Sequence, residues 1–221
     1  MNQWRVRFIA NGIVIVFLLC IIIVRLITFS TASIYYWLWG FPSLIICVLQ
    51  IYFLMLNLKD EPDAVDTSLT SFVVSVFAAL GLGFVALVIN QPLIDFSYRE
   101  ILRQIGGVMA LIPYPFLVWA LLCLKKCMTV VPEAHEVVAH GIYKYSRHPL
   151  YVCYMVWIIS NIMLFPSWPV IIVSGLAFTA LLIRLKREEK LLLASLPDYK
   201  EYYLKTGLIG KRISLRNNTM L

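Results

Sequence analysis

Six apolar runs constrain this chain more than any single residue does: residues 6–29, 34–56, 69–89, 105–124, 150–165 and 170–183. The first four reach or approach the ~20 residues that cross a bilayer. Lipid offers no partners for backbone N–H and C=O groups, so spanning segments are restricted to helices and closed barrels, and runs of this length are read as helices. A mean hydropathy of +0.84 agrees, as does a charged fraction of only 14%, against ~25% for a soluble domain. The expected fold is all-α: a polytopic transmembrane helical bundle with a C-terminal cytoplasmic helical segment. The last two runs are short and joined by Pro166-Ser167-Trp168-Pro169. They read as a tight helical hairpin whose second helix continues past the bilayer surface. The first run is too long for a cleaved signal peptide and lacks a small-residue cleavage site.

Charge suggests an orientation. With the N-terminus cytoplasmic, the outer side keeps only Arg25, Arg99 and Arg103 of the 19 basic residues, which by the positive-inside rule places both termini inside. The net charge of +7 is then a cytoplasmic surface suited to anionic headgroups, and no motif supports nucleic-acid binding. Five cysteines lie in or beside apolar runs. That odd, buried set reads as packing rather than as a disulfide framework, and no metal site is expected. With no internal repeat, residues 1–221 form one membrane domain: four scaffold spans over 1–124, a cofactor and catalytic region over 125–206, and a polar tail over 207–221. Gly81 and Gly83 allow close helix approach. Gly106-Gly107 and Pro113-Tyr114-Pro115 should kink the fourth span.

The chemistry concentrates after residue 124. In Arg147-His148-Pro149, proline suits the first position of a helix. Residues 146–148 then sit at its N-terminus, where free N–H groups and the helix dipole favour an anion. The same residues would serve equally as a snorkelling anchor. Arg184 and Glu188 are four apart, a spacing that also makes an ordinary helical ion pair. Glu189 must then point elsewhere, toward a second positive partner such as Arg147 or a cationic cofactor. Tyr143, Tyr145, Tyr151 and Tyr154 flank the first motif, and Tyr199, Tyr202 and Tyr203 follow the second. Aromatic faces with carboxylates suit a sulfonium cation, although interfacial tyrosine is common. The helix should run on over 184–196, with Pro197 ending it or starting another through Tyr203.

Taken together, Gly141-Ile142-Tyr143, Arg147-His148-Pro149-Leu150-Tyr151, Arg184 with Glu188-Glu189, and Leu196-Pro197-Asp198-Tyr199-Lys200-Glu201-Tyr202 resemble the isoprenylcysteine carboxyl methyltransferase family. These are integral membrane enzymes related to the phospholipid N-methyltransferases, and the resemblance covers residues 137–206. It implies S-adenosyl-L-methionine as cofactor and a lipid or lipid-linked acceptor reaching the site from the membrane. His140, Gly141 and Tyr143 would lie along the cofactor, with Arg147 and His148 near its polar end and Tyr151, Tyr199 and Tyr202 beside it. Glu188 and Glu189 would help hold it, and Arg184 would face the acceptor with one of the glutamates. Carboxyl O-methylation and amine N-methylation both remain open, the former favoured. Two departures stand out: Cys153 occupies a position where the family usually has glycine, and Met128 to His135 replaces the Asn/His-containing segment of the eukaryotic prenylcysteine enzymes. Two other classes fit parts of the pattern: an NADPH-dependent membrane reductase of the sterol-reductase type, which shares an Arg-His-Pro-x-Tyr stretch, and a non-enzymatic lipid-binding membrane protein.

Overall fold

The computed structural model describes residues 2–28, 34–88, 93–95 and 97–210. The ends of the first and third apolar runs and tail residues 211–221 lie outside the described residues, as do the side chains of Arg25 and the surroundings of Gly83. The chain is a helical bundle. Helices α1 (Gln3–Thr28), α2 (Ile34–Asn57) and α3 (Leu69–Val88) are followed by α4 (Arg99–Leu111) and α5 (Pro113–Leu124). Then come α6 (Pro149–Leu164), α7 (Trp168–Ser195) and α8 (Pro197–Lys205). Among the described residues, Gln3–Val24, Arg99–Cys127 and Trp168–Ser195 are long and apolar enough to cross a membrane, and Pro42–Asn57, Leu69–Gly81 and Pro149–Leu164 are shorter apolar helices.

The packing is that of a protein in lipid. On α1 the large apolar side chains Phe8, Val16, Leu19 and Ile23 face outward, whereas Arg7 and Asn11 are buried. Lipid solvates the first group, and only the interior satisfies the second. Small residues bring α3 and α7 together: Ser71, Ser75 and Ala78 recur at helical spacing on one, Ser174 and Ala177 on the other, all buried. A Cβ on Gly81 would stand 2.9 Å from that of Ala177. Close backbone approach of this kind supplies the dispersion contact that drives association where no hydrophobic effect operates.

The fourth span divides at Ile112 into α4 and α5, where Pro113 removes a backbone donor while Ile112 itself keeps helical dihedrals. The hairpin is also present, with α6 packed against an α7 that continues past Ile183 to Ser195, and α8 starts at Pro197. Between α5 and α6 the chain forms a cap. A short 3₁₀ turn (Lys125–Cys127) leads to strand β2 (Glu133–Ala134), which pairs antiparallel with β1 (Ala64–Val65) of the α2–α3 loop. Asp63 and Asp66 extend the pairing by donating their N–H groups to Ala134 and Pro132 carbonyls, at 2.8 and 3.0 Å. A second 3₁₀ turn (Gly141–Lys144) enters α6. The strap after α8 returns to that junction, where Arg147 N–H donates to Gly207 O at 3.1 Å and Ser146 Oγ donates to Leu208 O. Both loops and α8 therefore gather at one end of the bundle.

Candidate active site

Two cavities lie beside α6 and α7, with no lining residue in common. The smaller, about 470 Å³, is polar and sits beneath the cap. Tyr143, Arg147, His148, Glu188, Tyr199 and Tyr202 line it, and the sequence singles out every one of them. The larger, about 1080 Å³, is mainly apolar and lies among α1, α2, α3, α5, α6 and α7, with Arg184 in its wall. Antiparallel pairing explains the gradation. His148 at the N-cap of α6 and Tyr151, Tyr154 and Trp157 along it recur at three-residue spacing, and along α7 Leu181, Arg184 and Glu188 follow at spacings of three and four. Polar ends meet at the cap and apolar ends in the bilayer.

The two arginines have different surroundings. Arg147 is enclosed by acceptors: Nε and Nη2 each lie 2.8 Å from Glu189 Oε1, and Nη1 donates to the carbonyls of Tyr203, at 3.3 Å, and Thr206. Its guanidinium stacks 4.2 Å from the centroid of the Tyr203 ring. It therefore ties the start of α6 to α7 and α8, and it is the partner Glu189 needs. His148 caps α6, with Nε2 3.3 Å from Glu189 Oε1 but hydrogen-bonded to no protein group among the described residues. Arg184 forms no ion pair with Glu188 among the described residues. It donates through Nη2 to Thr129 O at 2.6 Å and lies 5.5 Å from the Tyr151 ring centroid, and its buried Nε is unpartnered. Glu188 instead accepts from the Tyr151 hydroxyl at 2.5 Å.

The tyrosines stay neutral. Burial, and after it the charge of Glu188, pushes the Tyr143 phenol well above its ordinary value. Burial raises Tyr202 to about 12, and burial followed by Glu189 and Glu188 raises Tyr199 strongly. Each remains a donor at physiological pH. Tyr202 donates to Tyr143 O at 2.5 Å and Ser146 O at 3.3 Å, bracing the 3₁₀ turn, whereas the Tyr199 hydroxyl is buried without a partner. His140 is exposed, and neither it nor Gly141 lines the polar cavity. Gly141 has a backbone role: its φ is +57°, and a Cβ there would stand 2.4 Å from Cys123 Sγ. Cys153 lies in the hydrophobic core and lines neither cavity.

Glu133 and His135 also line the polar cavity, and sequence reasoning missed them. They belong to a buried network reaching α1 and α2. Glu133 Oε2 lies 3.1 Å from Arg7 Nε, an ion pair rather than an aligned hydrogen bond, and accepts from Asn57 Nδ2 at 3.1 Å. His135 places Nε2 2.9 Å from Glu133 Oε2 and Nδ1 3.1 Å from Asp60 Oδ2. Asn11 donates to Asn57 Oδ1 at 2.9 Å, and Glu133 Oε1 is left without a partner. The available signal was polar residues inside or at the end of apolar runs, Arg7, Asn11 and Asn57, each of which demands a partner when buried.

The polar cavity's side chains match in kind the charges of S-adenosylmethionine. The unpartnered Tyr199 hydroxyl and the N-terminus of α6 suit a carboxylate, the unpartnered Glu133 Oε1 suits an ammonium, and neutral aromatic faces suit a sulfonium. Among the described residues no cluster of side chains is arranged to hold a metal ion. No curated protein matches the chain. The family model for isoprenylcysteine carboxyl methyltransferases matches residues 107–194, from α4 through α7. That segment, which builds most of the polar cavity's wall and carries Arg184 and Glu188, is similar to the isoprenylcysteine carboxyl methyltransferases, a family of membrane methyltransferases.

Proposed function

We propose that this protein is an S-adenosylmethionine-dependent enzyme that methylates the carboxylate of a lipid or lipid-linked acceptor. One observation carries the choice of acceptor: Arg184 presents a buried, unpartnered Nε in the wall of an otherwise mainly apolar cavity. A buried guanidinium donor without a partner is costly, and a carboxylate is the group whose two oxygens match its planar fork. Glu188, one helical turn on, lines the polar cavity and is engaged by Tyr151, so no free carboxylate stands on the acceptor side of that turn to take a proton from an amine.

His148 and Tyr199 would hold the polar end of the cofactor, with Glu188 and Glu133 toward its positive groups. Bound there, S-adenosylmethionine supplies an activated methyl group on a sulfonium. A carboxylate acceptor is already nucleophilic, so the protein removes no proton. Its contribution is orientation, with Arg184 aiming one carboxylate oxygen toward the polar cavity. Tyr151, buried and in the lining of neither cavity, helps to keep water from competing.

Thermal denaturation of the protein in detergent with S-adenosylhomocysteine, NADPH or neither tests the cofactor, since a ligand of the folded state raises Tm. Stabilisation by S-adenosylhomocysteine alone is expected, and stabilisation by NADPH alone would favour the reductase class. Methyl transfer from labelled cofactor into a membrane-lipid extract tests the acceptor. Arg184→Lys keeps the charge and loses the fork, so turnover should fall about 10²-fold with S-adenosylhomocysteine affinity near wild type. Glu189→Gln should do less. The reverse order would point to an amine acceptor.

A further inference from the structure

Tyr151 lines neither cavity, yet it touches residues that line each of them. On the side of the larger cavity, the Arg184 guanidinium lies 5.5 Å from its ring centroid. On the polar side, its ring meets His148 edge to face at 5.3 Å and its hydroxyl donates to Glu188 at 2.5 Å. Arg184 and Glu188 are one turn apart on α7, so a single ring lying across that turn reaches both.

Such an arrangement does not permit transfer as it stands. Reacting atoms have to come within about 3–3.5 Å in line, whereas a cofactor beside Glu188 and an acceptor carboxylate on Arg184 would have this ring between them. Among the described residues the Tyr151 hydroxyl makes one hydrogen bond, to Glu188. The rest of its surroundings are ring contacts and the apolar cluster of Ala78, Ile158, Leu181 and Leu185, which lack the directionality of a hydrogen bond. Glu188 is also the carboxylate that a cationic cofactor would seek. Where the dielectric is low, a full positive charge at contact distance outweighs a neutral hydroxyl.

We infer that Tyr151 is a gate between the two cavities, latched by Glu188 and released when a cation takes that carboxylate. The latch keeps the compartments apart until a charged methyl donor is in place. The thioether left after transfer is neutral and no longer competes for Glu188, so the phenol returns and the wall closes again. Tyr151 is thus a positioning residue that responds to the charge of the cofactor. The inference rests on the reading above, in which cofactor and acceptor occupy the polar and the larger cavity.

Isothermal titration of the full-length protein in detergent micelles with two cofactor analogues tests the latch. Sinefungin carries a charged amine where S-adenosylmethionine has its sulfonium, and S-adenosylhomocysteine is neutral at that atom. Tyr151→Phe removes the hydroxyl and keeps the ring. The ratio of sinefungin to S-adenosylhomocysteine affinity should therefore rise about 10-fold over wild type, the scale of one hydrogen bond to a charged group. Movement of the ring is read by fluorine NMR on protein with fluorotyrosine at position 151 alone. Sinefungin should displace that resonance, and S-adenosylhomocysteine, which fills the same cavity without the charge, should leave it in place. An unchanged affinity ratio in Tyr151→Phe overturns the inference while the cofactor reading stands, and so does a resonance that answers both analogues alike. If neither analogue binds the wild type, the cofactor reading and this inference fall together.

Discussion

Arg147 and Arg184 carry the same guanidinium into different roles because their neighbours differ. Arg147 meets a carboxylate, two carbonyls and an aromatic face, so its donors are committed to holding α6, α7 and α8 together. Arg184 meets one carbonyl and keeps Nε without a partner. A motif states which groups are present, but only the fold states which of them are left over. Glu133 extends the point, since Arg7, Asn57 and His135 all gather on Oε2 and leave Oε1 without a partner. Removing one partner from a buried ion pair strands the other, at a cost of about 3–5 kcal/mol. Arg7→Leu should therefore lower Tm strongly, and adding Glu133→Gln to the same chain should recover part of the loss. Thermal melts of both singles and the double in one detergent give the coupling. A double variant no more stable than the sum of the singles predicts would mean that Arg7 and Glu133 act independently.

The helices pair through different devices. α3 and α7 use a stripe of small residues, whereas α4 and α6 approach closely at Gly106. A Cβ on Gly106 would stand 2.7 Å from Met163 Cβ, 2.9 Å from Leu164 N and 3.0 Å from Ser160 O. Backbone atoms cannot turn aside as a side chain can, so Gly106→Ala should cost about 1–3 kcal/mol through overpacking. Gly175→Ala, at a helical position with nothing within 4 Å, should be neutral or stabilising by up to about 1 kcal/mol, the helix-propensity difference. Denaturation of the two variants side by side separates packing from propensity. A stabilised Gly106→Ala would show that α4 and α6 stand further apart than described. The same contact orders the far end of the hairpin, where Arg103 Nε donates to Leu164 O at 3.2 Å.

At the scale of the whole molecule the loops divide between two ends. The α2–α3 loop, the cap and α8 gather at the site end. Ile94 N–H donates to Pro166 O at 2.7 Å at the other. The distribution of basic residues leads us to propose the site end as cytoplasmic. Single cysteines introduced at Glu61, Glu136 and Ser97, all exposed, into a cysteine-free background test this. A membrane-impermeant thiol reagent should label only position 97 from outside intact cells, and labelling of position 136 would reverse the orientation. Much of this protein is written locally. Apolar run length dictated the helices, Pro149 and Pro197 marked where two of them begin, and the motifs from Tyr143 to Tyr202 named six residues of the polar cavity's lining, because each of these depends on residues near in sequence. What the tertiary structure decided depends on residues distant in sequence. It set Arg7, Asn57 and Glu133 in one buried network, turned His140 outward, moved Cys153 into the core and placed Gln50 across from Tyr154. Helical period fixes a side chain's face on its own helix, whereas the partner across the bundle is chosen by packing every helix at once, and no local pattern encodes that choice.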